Sequence, residues 1–342
     1  MGIKVISLFS GIGAHEKALK NIGIEFELQN YCEFDKQKSK AYAVLYNEPE
    51  EKNLGDITQV EYSKLSESDL VVYSPPCQAF SHAGKKQGLS DEKSRGTLFW
   101  NALQVIKASK PKYAVMENVD NLTTKFKETF EEMLKELDTA GYNNYWEVID
   151  AAEYIPQSRK RVYVVSIRKD IDIKGFEFPT GGNTEGWWEL LDLADMRELT
   201  KRQAKVINAI KQGVSEDALP VKIEGAVEFE RNVIMLRQSG IRFRSKEQRT
   251  FPTLCAAMGE GGGNFPMIAY AGNVGGLTPR GAFRLMGFEY ADADKLISMG
   301  FKNMAMYKMA GDSVCVPVLE AIYKKLLRQE SKQILTDTTK VV

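Results

Sequence analysis

Lys4-Val5-Ile6-Ser7-Leu8-Phe9 runs directly into Ser10-Gly11-Ile12-Gly13-Ala14, and a helical pattern continues through Leu19. An apolar run of strand length, a tight glycine turn and a helix form the opening of a doubly wound α/β sheet, with a ligand expected at the strand's carboxyl end. The glycines let backbone approach that ligand closely. A full G-x-G-x-x-G fingerprint is absent, because Glu16 stands where the third glycine would be. That weakens a pyrophosphate-binding reading.

The next strand, Glu25 to Tyr31, ends at Cys32-Glu33-Phe34-Asp35. An acid there is placed to accept hydrogen bonds from ribose hydroxyls, and Phe34 could cover a purine ring. Gly55-Asp56-Ile57-Thr58 reads as the close of a third βα unit, again with an acid at a loop edge. Each acid alone reads equally well as a surface residue. Their recurrence at successive strand ends, with a glycine turn and no phosphate-binding lysine, suggests a nucleoside lacking a polyphosphate. S-adenosylmethionine fits that description.

Asp69-Leu70-Val71-Val72-Tyr73 reads as a buried strand, stopped by Pro75-Pro76, which cannot donate to a ladder. Cys77 follows on this stiffened backbone, and a loop rich in glycine and lysine runs from Ser81 to Arg95. Taken alone, the thiol reads equally well as a nucleophile and as a small buried hydrophobe. The strand Pro111 to Met116 ends at Glu117-Asn118-Val119, so parallel pairing with the cysteine's strand would bring Cys77 and Glu117 to one edge. A helix spans Phe126 to Ala140 and stops at Gly141. Strands at Tyr145–Ala151 and Arg161–Ile167 flank Gln157-Ser158-Arg159-Lys160-Arg161.

Beyond residue 180 the texture changes. Gly181-Gly182-Asn183 reads as a linker, Trp187 to Leu193 as a helical entry and Thr200 to Gln212 as a helix. Residues 213–274 lack helical periodicity and read as a smaller, irregular β-rich domain. Arg231, Arg237, Arg242, Arg244, Lys246 and Arg249 lie there against Glu247 alone, a local basic stripe of the kind that meets nucleic acid, or a solvated face. A helix after Leu277-Thr278-Pro279-Arg280 runs through Met286, and another follows Gly311-Asp312-Ser313-Val314 through Leu327. The polar residues 329–342 are expected to fray. The expected division is 1–185 with 275–342, and 186–274.

Composition narrows the function classes. The 342 residues are 43% hydrophobic and 27% charged, ordinary for a globular protein. Formal net charge is zero, which argues against a polyanion partner until the local stripe is considered. Four widely spaced cysteines without a C-x-x-C pair argue against a zinc site and for a reduced, cytoplasmic setting. Two histidines exclude a histidine-rich metal centre and leave acid–base work to carboxylates. No apolar run approaches the roughly 18 residues of a membrane span.

In this order the motifs resemble those of the DNA cytosine-5 methyltransferases of the bacterial and phage restriction-modification type. Phe9-Ser10-Gly11-Ile12-Gly13 is similar to that family's cofactor loop, Pro75-Pro76-Cys77-Gln78 to its nucleophile motif and Glu117-Asn118-Val119 to its acid motif. Gln157-Ser158-Arg159-Lys160-Arg161 matches Q-x-R-x-R, and Leu277-Thr278-Pro279-Arg280 and Gly311-Asp312-Ser313-Val314 match the last two motifs. Each piece is weak; six in order from residue 9 to residue 314 are specific. The resemblance implies an S-adenosylmethionine-dependent methyltransferase domain of Rossmann-like form, with the variable segment as target recognition domain.

It further implies that Cys77 is the nucleophile and that Glu117 serves ring nitrogen 3 and the exocyclic amine of the base. Arg159 and Arg161 would lie near the ring's oxygen 2 and the active-site loop. Phe9, Ser10, Gly11, Ile12, Gly13, Glu33, Phe34, Asp56, Ile57, Pro76, Leu98, Asp312 and Ser313 would hold S-adenosyl-L-methionine, leaving S-adenosyl-L-homocysteine as product. Gln78, Ser81, Lys85, Lys86, Arg95, Arg242 and Arg244 would meet double-stranded DNA, from which the target base is flipped. A monomer is expected, with a cognate restriction endonuclease as a genomic neighbour or an orphan role without one. Two departures stand out. Asp312 replaces the family's usual Asn, and Gly275 and Gly281 replace an Arg and a Glu around the L-T-P-R motif. A transfer-RNA cytosine-5 methyltransferase is disfavoured by the missing Cys-Phe-Thr signature. A repressor on the same scaffold and a Cys77–His82 hydrolase are the remaining alternatives.

Overall fold

A computed structural model describes residues 2–76, 98–214, 222–224, 227–237, 240–244, 249–258 and 265–338. The chain divides into two compact units, residues 1–153, 160–181 and 314–342 in one and residues 154–159 and 182–313 in the other.

The first unit contains β1 (Ile3–Leu8), α1 (Ala14–Asn21), β2 (Phe26–Cys32), α2 (Lys36–Tyr46), β3 (Leu70–Tyr73), α3 (Leu98–Ser109) and β4 (Tyr113–Val119). It continues through α4 (Asn121–Thr124), α5 (Lys127–Thr139), β5 (Tyr142–Asp150) and β6 (Lys160–Arg168). The six strands form one sheet in the order β2-β1-β3-β4-β6-β5. β1 is parallel to β2 and β3, and β3 is parallel to β4; β6 runs antiparallel to β4 and to β5. This is the parallel-sheet α/β core expected from the sequence. β3 is buried along its whole length, as are all but the last residue of β4, which is why both read as continuous apolar runs rather than alternations. Ile6, Leu8, Val71 and Met116 meet Phe99, Leu103 and Ile106 of α3 in the core.

The second unit comprises α6 (Trp187–Leu190), α7 (Lys201–Lys211), β7 (Ile223–Glu224), β8 (Asn232–Arg237), β9 (Gly240–Arg244), β10 (Phe265–Tyr270) and β11 (Asn273–Gly276). α8 (Pro279–Leu285), α9 (Tyr290–Ser298) and α10 (Asn303–Asp312) complete it. Its five strands pair as β11-β10-β8-β9-β7. The region is therefore β-rich, as expected, with these strands joined in one sheet. Ile234 and Leu236 of β8, Ile241 and Phe243 of β9, and Met267 and Ala269 of β10 alternate onto one face. That face packs on Val206, Ile207 and Ile210 of α7. Thr200 caps α7 by accepting from Gln203 N, while the Gln203 side chain accepts from Thr200 N.

Three expectations change. Gly55-Asp56-Ile57-Thr58 does not close a strand–helix unit: Asn53 makes only an isolated bridge to Tyr31, and Ile57–Gln59 is a 3-10 turn. Side chains satisfy the backbone there instead of a ladder, Asp56 Oδ1 accepting from Thr58 N at 2.9 Å and Asn53 Oδ1 from Gly55 N at 2.9 Å. Residues 275–313 group with the second unit, because Thr278 Oγ1 donates to Asp195 at 3.0 Å, Arg280 pairs with Asp195 and Asp294, and Tyr307 OH donates to Leu277 O at 2.6 Å. Finally, α11 (Val316–Thr338) continues past Leu327. No glycine or proline follows Pro317 to stop it. Among the described residues no helix is long and apolar enough to cross a membrane.

α11 packs along α1. His15 Nδ1 lies 2.5 Å from Tyr323 OH, and Asn21 Nδ2 donates to Glu320 at 2.7 Å. Burial pushes the His15 imidazole from the usual 6.5 down to about 3, and pushes the neighbouring Glu16 carboxyl up. Below pH 6.5 the unfolded His15 takes up a proton that the folded one refuses, so acid favours unfolding by up to about 1.4 kcal/mol per pH unit. Glu16 acts oppositely, since its folded form protonates first. We predict that His15→Gln gains stability relative to the unsubstituted protein as pH falls from 7 to 4, because Glu16 is common to both. Urea unfolding at several pH values measures this; parallel stability curves would refute it.

Candidate active site

The carboxyl ends of the parallel strands lie abreast, with Leu8 opposite both Cys32 and Tyr73, and Tyr73 opposite Met116. The chain leaves β1 through Phe9 at φ 55, then turns through Gly11 at φ 56 and Gly13 at φ 75. A Cβ on Gly13 would lie 2.2 Å from the Tyr46 ring, and Tyr46 OH donates to Gly13 O. Both constraints demand glycine there. Ser10 is tied back to the sheet, its N–H on Cys32 O at 3.1 Å and its hydroxyl on Ser7 O at 2.9 Å. Ile12 is buried.

Glu33 joins this turn to the end of β2. Its Oε2 accepts from Gly11 N at 2.8 Å and its Oε1 from Asp35 N at 2.8 Å. Burial raises the Glu33 carboxyl, and the two N–H donors oppose that rise. Asn53, which sequence reasoning passed over, holds the arrangement: Oδ1 accepts from Glu33 N at 3.0 Å, and Nδ2 donates to Glu33 O at 3.1 Å and to Ser39 at 2.8 Å. The Asn53-Leu54-Gly55 spacing was the available signal, an Asx turn ending in glycine. Phe34 presents its ring to solvent at 77% exposure. Asp56 is half-buried and Ile57 buried in the adjoining 3-10 turn. Acceptors at Glu33 and Asp56 beside an exposed aromatic face suit a nucleoside. Cys32, on the same edge, is pushed up to about 12 by burial and by Glu33 and Asp56, which excludes it as a thiolate at neutral pH.

β3 gives way to Ser74, Pro75 and Pro76, and Asn118 Nδ2 of β4 donates to Pro75 O at 3.4 Å. The end of β3 is therefore fastened to the end of β4. Pro76 is half-buried, and Leu98 opens α3. Cys77, Gln78, Ser81, Lys85, Lys86 and Arg95 lie outside the described residues. Glu117 is 7% exposed, and its Oε1 lies 3.2 Å from Arg161 Nε of β6. The antiparallel register opposes Glu117 to Tyr163 and Val119 to Arg161, so the guanidinium reaches back across the ladder to the carboxylate.

Arg159 is placed differently. At 4% exposure it donates from NH1 to Leu254 O at 3.1 Å, and from NH2 to Gly311 O at 3.2 Å and Ser313 O at 2.8 Å. Gln157, fully buried, donates to Leu285 O at 2.6 Å. Asp312 is exposed and Ser313 buried at the end of α10. Four arginines of the basic stripe fall into two groups. Arg242 and Arg244 share the face of β9 opposite Ile241 and Phe243, with Arg242 exposed and Arg244 half-buried. Arg231 and Arg249 instead lie over the ring of Trp188, at 5.5 and 5.9 Å from its centroid. Distance along the chain from Trp188 hid that grouping.

A profile of the C-5 cytosine-specific DNA methylase family matches residues 3–328. The type II methyltransferase M2.ScrFI of Lactococcus lactis subsp. cremoris is 33% identical over 82% of this chain and 72% of its own length. The orphan methyltransferase M.SPRI of Bacillus phage SPR is 28% identical over 95% of this chain and 97% of its own. The crystal structure of S. pombe Dnmt2 methyltransferase superposes with a TM-score of 0.65 at 18% identity, covering 96% of this chain and 99% of that one, which shows a shared fold.

Arg161→Met would leave the Glu117 carboxylate without its partner. We expect a loss of about 2–3 kcal/mol, short of a fully buried pair because the guanidinium keeps 19% exposure. Adding Glu117→Gln should recover part of it. A double-mutant cycle by denaturant unfolding tests this, and additive losses would show that the pair is not coupled.

Proposed function

The chain belongs to the C-5 cytosine-specific DNA methylase family, and from that membership we propose that it methylates carbon 5 of a cytosine flipped out of a specific duplex sequence, through a covalent adduct with Cys77. The observation that carries this reading is the Glu117–Arg161 pair at the end of β4, one hydrogen bond from the strand end that delivers Pro76 and Cys77.

Carbon 5 of cytosine is a poor nucleophile. Addition of the Cys77 thiolate to carbon 6 converts the ring into an enamine whose carbon 5 is nucleophilic. Charge builds on the ring as the sulfur adds. Arg161 holds Oε1 of Glu117, and the second oxygen, carrying a proton, donates it to ring nitrogen 3 as the sulfur adds, while the guanidinium offsets the developing negative charge. S-adenosylmethionine, when bound, supplies the electrophilic methyl on its sulfonium. The carbon 5 proton then leaves to a base, the carbon–sulfur bond breaks, and Cys77 is regenerated as the ring's double bond reforms.

The residues at the β1 and β2 ends fit that cofactor. Glu33 and Asp56 provide acceptors for ribose hydroxyls and the adenine edge, Phe34 provides a face for the purine, and the positive-φ glycines bring bare backbone close. Pro76, Leu98, Asp312 and Ser313 complete the proposed set. The β7–β11 sheet serves as the target recognition region. Arg242 and Arg244, on one face of β9, serve DNA phosphates there. Extruding the base costs a few kcal/mol, and the lysines and arginine between Ser81 and Arg95 are proposed to close over the opened duplex.

Purified protein is expected to transfer labelled methyl from S-adenosylmethionine to duplex DNA, and bisulfite sequencing of the product should place the label on one recurring cytosine. Cys77→Ala should abolish transfer while retaining DNA binding; full turnover in that variant would rule out the adduct. Replacing Arg242 and Arg244 with Gln should weaken DNA binding and lower its salt slope by up to about two charges. An unchanged slope would place this face away from DNA.

A further inference from the structure

A guanidinium carries five N–H donors in a fixed planar fork. In Arg159 the two terminal nitrogens are turned onto backbone carbonyls from two distant stretches, Leu254 on one side and Gly311 and Ser313 on the other. Gly311 lies in the last turn of α10, and Ser313 is its C-cap. Carbonyls there lack intrahelical partners and form the negative end of the helix dipole. Arg159 thus caps α10 with a full positive charge and fastens the cap to Leu254. Packing reinforces the tie. A Cβ on Gly311 would stand 2.3 Å from Cys255 C and 2.4 Å from Ala256 N, so the 254–256 backbone rests directly on the turn. Gln157 repeats the device two residues earlier: its backbone bridges Phe251, and its amide donates to Leu285 O.

We propose that Arg159 is a positioning residue for the cofactor turn and does not touch the base. It fixes the conformation of residues 311–313, so that Asp312 and Ser313 are presented in one geometry. The two arginines of the Q-x-R-x-R motif then divide the work. Arg161 acts on the Glu117 edge, whereas Arg159 sets cofactor affinity through residues 311–313. This rests on the reading that Asp312 and Ser313 contact S-adenosylmethionine. It also bears on the Asp312 departure, because a turn held by backbone carbonyls keeps its shape whichever side chain occupies position 312.

Cofactor binding without DNA separates the two roles. Calorimetric titration with S-adenosylhomocysteine should show Arg159→Gln weakening binding by about tenfold or more, the loss of a charged hydrogen-bond set. Arg159→Lys, which keeps the charge and part of the reach, should lose less. At saturating S-adenosylmethionine, both variants should form the trapped adduct on duplex containing 5-fluorocytosine at nearly the unsubstituted rate, so that KM for cofactor moves and kcat does not. An unchanged cofactor affinity with a slowed adduct would overturn the proposal and put Arg159 on the base. Should Arg159→Gln fail to fold by circular dichroism, Gly311→Ala provides the second arm. It forces the 255–256 backbone off the turn with the arginine intact, and must also weaken cofactor binding. Normal affinity in both Gly311→Ala and Arg159→Lys would refute the idea. Failure of the unsubstituted protein to bind S-adenosylhomocysteine would instead overturn the cofactor reading beneath it.

Discussion

The parallel register of three central strands is the constraint on which the candidate site depends. Leu8, Tyr73 and Met116 stand abreast, and the residues that follow each of them are those proposed to carry the chemistry: the turn from Phe9 to Gly13, the run from Ser74 to Cys77, and Glu117 itself. Strand side chains alternate between faces, so a slip of one residue in β4 would send the Glu117 carboxylate to the opposite side. Burial prevents that slip. β3 and nearly all of β4 are enclosed on both faces, and any other register would break the packing of Val71 and Met116 on α3. The antiparallel strand β6 adds a second fix, since its pairing with β4 delivers Arg161 from the opposite direction.

Charge is handled by pairing at this edge. Glu117 is nearly enclosed, yet it has a guanidinium at 3.2 Å. Glu33 takes backbone N–H donors from both sides and Asp56 caps its own turn. A carboxylate is costly to enclose without such partners. The zero net charge of the whole chain is consistent with this: acids concentrate where a nucleoside would lie, while arginines gather on β9 and around Trp188. Averaging over the chain conceals both groups.

Local pattern made the fold's first half legible. The strand–turn–helix at Lys4 to Leu19 and the apolar run at Leu70 to Tyr73 need no distant partner to be recognised, and both stand where expected. Asp56 misled because an acid after a glycine looks the same at a strand end and in an Asx turn; what separates them is the side chain of Asn53, three residues earlier. The second sheet is legible as β-rich but not strand by strand, because its strands are short and separated by polar stretches; Ile234, Leu236, Ile241 and Phe243 carry the two-residue alternation. Arg159 was legible in type but not in placement. Its partners lie 95 and more residues downstream, and no local signal says which carbonyls an arginine will reach.

The electrostatics of the sheet edge change from the end of β2 to the end of β4. Cys32 ends β2, where burial and the acids at 33 and 56 hold its thiol protonated up to about 12. Those same acids make the β1–β2 end suitable for hydroxyl groups and for the positive sulfonium of the proposed cofactor. A nucleophile could not ionise among them at neutral pH. The end of β3 is instead bonded through Pro75 to the strand that carries Glu117, whose carboxylate has Arg161 alongside. A cation there would suit the nucleophile proposed for Cys77 and would meet the charge that addition would place on the ring. On the proposed reading, separating an acid-lined cofactor end from a guanidinium-bearing catalytic end along a single sheet edge would let one row of strands hold an electrophile and a nucleophile with opposite electrostatic needs.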